Sequence, residues 1–138
     1  MTIPSDMKAH NRKVIEDFRA DGGSAHGRPM LLLNTTGARS GRTHTAPMMY
    51  VPHGDDILVV ASNAGAPKDP DWYRNLVAHP DVVVEVEGEK YEATAVVPHG
   101  AERDKIFAEV VEKYPFFAEH QQKAADRTIP VVVLERRP

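Results

Sequence analysis

Six short apolar runs, each bounded by turn residues, constrain the fold of this chain more strongly than any other feature. Apolar runs of this length, flanked by glycine, proline, asparagine or aspartate, are typical of β-strands. The runs are GRPMLLLNTT, RTHTAPMMYVP, ILVVAS, VVVEVEG, YEATAVVP and TIPVVVLERR. Pro47 predicts a break or bulge within the second run, because proline cannot donate to a central ladder. Strands and helices do not alternate regularly, so the pattern predicts an antiparallel sheet.

Several of the segments between these runs have apolar residues at helical spacing. The predicted helices extend from about Ser5 to Ala20, from about Pro70 to Ala78, from Ala101 to Tyr114 and from Phe116 to Ala124. Ser5 or Asp6 is the expected N-cap of the first helix, and Asp69 is the expected N-cap of the second. Three or four helices and six strands predict an α+β fold that is mainly β, a small antiparallel barrel with helices at its rim.

Composition limits the domain count and the chemistry. A chain of 138 residues with 41% hydrophobic side chains predicts one domain over residues 1–138, with an N-terminal helix and connection in 1–24 and the barrel in 25–138. The absence of cysteine excludes disulfides and thiolate-bound metals, and the histidines never stand at ligand spacing on one helix face, so no metal site is predicted. A charged N-terminus, and no apolar run near the roughly 18 residues of a membrane span, predict a cytoplasmic protein.

The charge is distributed unevenly along the chain. The net charge of −3 argues against a nucleic-acid partner. Residues 22–54, however, contain no aspartate or glutamate, although the average of 20 acids in 138 residues would place about five there. This window contains Arg28, Arg39, Arg42 and three histidines, which predicts a local positive potential directed at an anion. The alternative is a strand-rich segment that avoids acidic residues because of their poor β-propensity.

Two small-residue loops follow predicted strands. GARSGR offers open backbone N–H groups, a serine hydroxyl, Arg39 and Arg42, a combination suited to phosphate or carboxylate. A hairpin turn with solvated arginines is the alternative. SNAGAP, residues 62–67, would let a flat ligand or another backbone approach closely, or would simply connect a strand to the next helix.

Three longer stretches are more specific than either loop: LLLNTTGARSGRTHTAPMMY, VVASNAGAPKDPDWYRNLVAHPDV and YPFFAEHQQKAADRTIPVVVLER. In their order and spacing they resemble the deazaflavin-dependent nitroreductase family, also described as quinone reductases dependent on reduced coenzyme F420. The resemblance runs from about Met30 to Glu135. It implies a split β-barrel related to FMN-binding split barrels, in a family typical of actinobacteria.

The resemblance also implies an activity: hydride transfer from reduced F420 to a quinone, a nitro compound or another conjugated, electron-poor acceptor. By motif position, the cofactor would contact Arg39, Ser40, Gly41 and His44 at its phosphate and tail, Pro47 and Met48 beside its ring, Ser62, Asn63, Ala64, Gly65 and Ala66 at the ring edge, and Trp72 and Asn75 at the pocket wall. Tyr114 would line the acceptor site as the candidate catalytic residue, together with Phe117 and His120. Core packing is the alternative role of Tyr114, because it completes the apolar stripe of its helix.

The chain departs from the family pattern at several of these positions. Ala38 and His44 stand where basic residues are frequent, and Asn63 stands where a lysine is common. Fewer fixed positive charges predict weaker binding of the cofactor tail or a different preference for tail length. Phe117 replaces a tyrosine and His120 another aromatic residue, so activation of bulky nitroimidazoles is not expected.

Other function classes stay open beside this reductase. One is a split barrel that binds FMN, another flavin or haem, and another is a non-catalytic carrier of a different anion or partner. The reductase would act on a small-molecule electron acceptor. A homodimer is common among split barrels, but the exposed residues do not establish it. Weak membrane association is a minority prediction, made because the apolar face of the N-terminal helix opposes basic residues.

Overall fold

The computed structural model describes residues 4–25 and 28–138, and the side chains of the first helix from His10 onward. The four helices are α1 (Pro4–Ala20), α2 (Asp71–Ala78), α3 (Gly100–Lys113) and α4 (Phe116–Ala124), with one 3₁₀ turn at Asn63–Gly65. The seven strands are β1 (Met30–Thr36), β2 (Thr43–Met49), β3 (Val51–His53), β4 (Asp56–Val60), β5 (Asp81–Val86), β6 (Glu89–Val96) and β7 (Val131–Arg136).

These strands form one antiparallel sheet in the order β2-β1-β5-β6-β7-β4-β3. The sheet is strongly curled, since Leu33 of β1 shares one buried apolar cluster with Val59 of β4 and Val132 of β7, although β1 is separated from these two neighbouring strands by β5 and β6. Leu76 of α2 packs in this cluster. β2 and β4 contact each other although they are not hydrogen-bonded neighbours in the sheet. The predicted antiparallel, mainly β architecture is confirmed.

The other helices cover the outer faces of the sheet. α1 places Phe18 against Leu32 of β1, so the apolar face of this helix is buried on the sheet. α3 and α4 pack on β4 and β7, where Phe107 and Phe117 join Val131 in a second buried cluster. None of the helices in residues 4–25 and 28–138 is long and apolar enough to cross a membrane.

A buried polar network fixes α1 on this outer face. Arg19 donates two hydrogen bonds to the Glu85 carboxylate, at 3.1 and 2.8 Å, and Asn34 donates a third at 2.8 Å. The Thr45 hydroxyl completes the network by donating to Asn34 Oδ1 at 2.5 Å. Glu85 is 9% exposed, and the hydrogen bond from Arg19 is the main reason that its pKa lies below the ordinary value.

Two sequence predictions about local structure were wrong. β2 runs unbroken through Pro47, which lies opposite Leu32, and the chain breaks instead at Tyr50 before the unpredicted short strand β3. Proline is tolerated because β2 is an edge strand, where a missing N–H interrupts no second ladder. Pro70, and not Asp69, is the N-cap of α2, because the Asp69 carboxylate is held by Arg127 at 2.7 Å. The predicted side-chain caps Ser5 and Asp6 lie outside the described side chains.

Candidate anion-binding cleft

A cleft of about 900 Å³ opens where the turn between β1 and β2 faces the beginning of α2. Five of the residues predicted to bind a cofactor meet here: Arg39, Ser40, His44, Trp72 and Asn75. The other lining residues are Asn11, Gly37, Ala38, Thr45, Ala46, Lys68, Asp71 and Arg74. Three segments distant in the sequence, around Asn11, in residues 37–46 and in residues 68–75, therefore build one concave site.

The turn holds its serine and histidine over the backbone of Gly37. Gly37 N donates to Arg42 O at 2.7 Å, and Gly41, with a φ of 70°, donates to Gly37 O at 3.0 Å. A Cβ at Gly37 would lie 2.5 Å from Ser40 Oγ and 2.9 Å from His44 Nε2. Only glycine therefore leaves room for both side chains in their observed positions.

Asn75 joins the turn to α2. Its Oδ1 accepts a hydrogen bond from Ala38 N at 3.0 Å, and its Nδ2 donates to the buried Thr35 hydroxyl at 3.2 Å. Asn75 is 8% exposed, so neither bond competes freely with water. Its side chain thus fixes one wall of the cleft against the other.

The cleft contains both paired and unpaired charges. Arg74 forms an ion pair with the Asp71 carboxylate and donates a hydrogen bond to Asp69 O at 3.0 Å. The side chains of Arg39 and Lys68 are exposed and have no hydrogen-bond or ion-pair partner among residues 4–25 and 28–138. Two cations are therefore available to an anionic ligand, although Asp71 makes the cleft less uniformly positive than the acid-free window of the sequence predicts.

An apolar groove of about 760 Å³ continues along the same strand, β2, beneath α1. Pro47 and Met48 line it, as do Met49, Val14, Phe18 and Met30. Asn11 lines both the groove and the cleft, so the two spaces adjoin. The polar and apolar halves of β2 thus face neighbouring spaces.

The remaining predicted cofactor residues do not line either space. Gly41 belongs to the turn between β1 and β2 without lining the cleft, and residues 62–66, which comprise the 3₁₀ turn and its two caps, precede Lys68 in the chain without lining it. Gly65 is packed on α4, where an added Cβ would lie 2.9 Å from His120 O. Asn63 is linked to the cleft only indirectly, since its Nδ2 donates to Lys68 O at 3.0 Å.

The predicted acceptor residues lie around the junction of α3 and α4, the second of which packs on this turn. Tyr114 is the half-buried C-cap of α3, and Phe117 is 5% exposed within the second buried cluster. The His120 ring lies 5.8 Å from the Phe117 ring and 5.6 Å from the Phe116 ring. His120 Nδ1 is buried and has no hydrogen-bond partner in the described part of the chain.

The sequence of the chain matches a family model described as F420H(2)-dependent quinone reductase, over residues 8–136. The chain belongs to this family. An F420H(2)-dependent quinone reductase of Mycobacterium tuberculosis (strain H37Rv) is 40% identical over 111 residues, which cover 79% of this chain and 74% of that protein. Sequence and fold thus agree with the resemblance carried by the three sequence stretches.

Solved structures give the same result. A structure described as an F420-H2 dependent reductase, FDR-A, is 41% identical with a TM-score of 0.69, covering 78% of this chain and 95% of that one. A second structure, described as a domain-swapped dimer, is 37% identical with a TM-score of 0.72 over 96% and 99% of the two chains. The haem storage protein HutZ from Vibrio cholerae is 18% identical with a TM-score of 0.59, over 91% of this chain and 89% of that one. At this identity the similarity shows the fold alone, a split β-barrel.

Prediction from the sequence missed several residues that line the cleft. Lys68 lies next to the SNAGAP loop, and its charge two residues before the expected helix was a usable signal. Asp71 and Arg74 stand one helical turn apart at the beginning of α2. Asn11 had no local signal, because only the packing of α1 on the sheet brings it to the cleft.

Proposed function

We propose that this protein transfers a hydride from reduced coenzyme F420 to a quinone. The observation that carries the proposal is the junction of a cleft containing unpaired cations with an apolar groove along a single strand, β2. Coenzyme F420 combines an anionic phosphodiester and glutamate tail with a flat deazaflavin ring, so its two ends match these two spaces. Membership of the F420H(2)-dependent quinone reductase family supports the same activity.

Arg39 and Lys68 would hold the anionic part of the cofactor. Both are exposed and without partners in the part of the chain that the structure describes, so binding a phosphate or carboxylate breaks no existing ion pair. Ser40 and His44, held over Gly37, would add hydrogen bonds from the same turn. This charge attraction is expected to weaken as salt is added.

The apolar half of β2 would support the ring. Pro47 and Met48 offer surface without strong hydrogen-bonding groups, and Trp72 adds an aromatic wall on the cleft side. Bound F420 supplies a two-electron hydride donor. The protein's own contribution is to hold ring and acceptor in contact and to exclude water from between them.

On the acceptor side, Tyr114 remains the proposed catalytic residue and His120 a proposed contact. The unpartnered Nδ1 of His120 supports a polar role, since a buried nitrogen without a hydrogen bond is costly to maintain. Phe117 is buried beneath its neighbours, which favours support of these side chains over direct contact with the acceptor.

Titration with oxidised F420 and, in parallel, with FMN tests the proposal. Saturable binding of F420 alone, followed by quinone-dependent oxidation of reduced F420, is the expected result. Tight binding of FMN or haem without F420 binding would favour the alternative of a different split-barrel ligand. Binding of F420 without any hydride transfer would favour a carrier.

A homodimer is a further proposal, supported by the 37% identical structure described as a domain-swapped dimer. β2 and β3 are the two edges of the sheet, and such edges can pair with a second chain. Light scattering of the purified protein measures the oligomeric state directly. The cytoplasmic location stays a prediction, and the burial of Phe18 on the sheet leaves membrane association without support.

A further inference from the structure

Arg127 lies between α4 and β7, and its guanidinium reaches across to residues 61–69. Its Nε donates to Ala66 O at 3.1 Å and its Nη2 to Ser62 O at 2.7 Å. Its Nη1 donates both to Ala61 O at 3.0 Å and to the Asp69 carboxylate at 2.7 Å. The side chain is 11% exposed. One rigid fork of donors thus spans the whole connection between β4 and α2.

This connection contains a turn with an unfavourable backbone conformation. Asn63 and Ala64 adopt φ angles of 48° and 54°, in the left-handed region that asparagine tolerates but alanine avoids. Two backbone hydrogen bonds close the turn, from Gly65 N to Ser62 O at 2.9 Å and from Ala66 N to Asn63 O at 3.0 Å. Such a conformation persists only where surrounding contacts over-determine it, and Arg127 supplies contacts at both of its ends.

α4 packs directly against Gly65 of this connection. An added Cβ at Gly65 would lie 2.8 Å from Lys123 Cβ and 2.9 Å from His120 O, so helix and turn are in close contact. The turn is therefore held between α4 and the guanidinium of Arg127.

The connection carries one wall of the cleft. Lys68 lies within it, with its carbonyl bound by Asn63 Nδ2, and Trp72 follows in the first turn of α2. Asp69 O also accepts a hydrogen bond from Arg74 at 3.0 Å. A shift at Asp69 would consequently move the side chains that face the ligand, while Arg127 itself does not line the cleft.

We propose that Arg127 is a positioning residue for cofactor binding. By holding residues 61–69 in one conformation, it sets where Lys68 and Trp72 stand in the cleft. This inference rests on the proposed function, since the cleft must bind F420 for the position of its wall to matter.

Arg103 offers a matched control. Its side chain is also 11% exposed, and it donates to Ile129 O at 3.0 and 2.8 Å and to Gln121 Oε1 at 2.9 Å. These bonds join α3 and α4 to the segment before β7 and do not reach residues 61–69. Losing them removes a similar amount of buried hydrogen bonding and no direct bond to residues 61–69, although Gln121, which Arg103 holds, also donates to Arg127 O at 2.7 Å.

The test compares Arg127→Met, Arg127→Lys and Arg103→Met with the wild-type protein, after thermal melts show that each is folded. Trp72 is the sole tryptophan, so its emission reports both F420 binding and, by acrylamide quenching, the order of the wall without ligand. We expect Arg127→Met to weaken F420 binding about tenfold and to raise KM for reduced F420, with KM for the quinone unchanged. Quenching of Trp72 should rise. Arg127→Lys should be intermediate, because an ammonium cannot span four acceptors.

Arg103→Met should melt earlier than the wild type yet keep its F420 affinity and Trp72 quenching. Wild-type affinity in Arg127→Met, or an equal loss in Arg103→Met, would overturn the inference. If Arg127→Met does not fold, Asp69→Asn makes the same test, since it weakens only the contact nearest α2. Failure of the wild type to bind F420 would instead overturn the proposed function, and Trp72 quenching alone would then decide whether Arg127 holds the wall.

Discussion

The hairpin of β1 and β2 carries two polar regions that differ in whether their charges have partners. Near its middle, Asn34 and Thr45 join the Glu85–Arg19 pair beneath α1, where every member has a hydrogen-bond partner. At its turn, Arg39 is exposed without a partner in the described chain, and Lys68 faces it across the cleft in the same condition. The first arrangement stabilises the fold, while the second is available to a ligand. The presence of a partner, rather than the type of residue, therefore distinguishes a charge that is already engaged within the fold from one that is available to a ligand.

Replacement of Glu85 should give the largest effect. Glu85→Leu leaves Arg19 and Asn34 without their carboxylate acceptor. We expect this change to lower the free energy of unfolding by about 2 kcal/mol, less than for a fully buried ion pair because the Arg19 side chain is half exposed. Urea denaturation measures this. Glu89→Leu is the matched control, since the Glu89–Arg136 pair is exposed and should contribute less than about 1 kcal/mol. Equal losses would show that the buried network has no special weight.

A methyl group at Gly37 should disturb the ligand side without unfolding the protein. Gly37→Ala must displace Ser40 Oγ and His44 Nε2, so we expect F420 binding to weaken roughly tenfold. Gly41→Ala is the control, because its Cβ would meet open space and only its φ of 70° is strained. That variant should lose about 1 kcal/mol of stability and keep its affinity. If Gly41→Ala weakens binding as much as Gly37→Ala does, the predicted contact at Gly41 is supported instead.

Removal of one unpaired cation should have a smaller effect on affinity. Arg39→Ala should weaken F420 binding about fivefold, lessen its salt dependence and leave the melting temperature unchanged. Arg42→Ala changes an exposed arginine of the same turn that does not line the cleft, and it should bind as the wild type does. Indistinguishable affinities for the two variants would remove Arg39 from the site.

The smallest expected effect is the pH dependence that Glu85 gives to the free energy of unfolding. The pKa of Glu85 is lowered in the folded protein, so as the pH falls the unfolded state takes up the proton first and folding weakens. The contribution of Glu85 should be complete above its ordinary pKa near 4.5 and be lost below it, as the pH passes through the lowered folded value. Denaturation curves of the wild type and Glu85→Leu, measured over this range, should converge toward acid. A difference in unfolding free energy between the two proteins that stays constant with pH would show that Glu85 is not the source of the pH dependence.

Prediction from sequence succeeded where a local pattern carried the information. The bounds of α4 and the antiparallel, mainly β fold followed from periodicity and turn residues. It failed at Pro47 and Asp69 for one shared reason, since the role of each depends on a neighbour distant in the sequence. Pro47 is tolerated because β2 is an edge strand, and Asp69 is drawn away from the helix by Arg127.

The sequence by itself determined that the chain would curl an antiparallel sheet with helices outside it, and its motifs marked the GARSGR turn and the residues around Trp72. Periodicity and turn chemistry are local properties, so they can be read without coordinates. Only the tertiary structure decided that Asn11 and Lys68 join Arg39 and Trp72 in one cleft, and that residues 62–66 do not line it. These relations depend on how the curled sheet brings distant segments together, and on which charges find partners when it does.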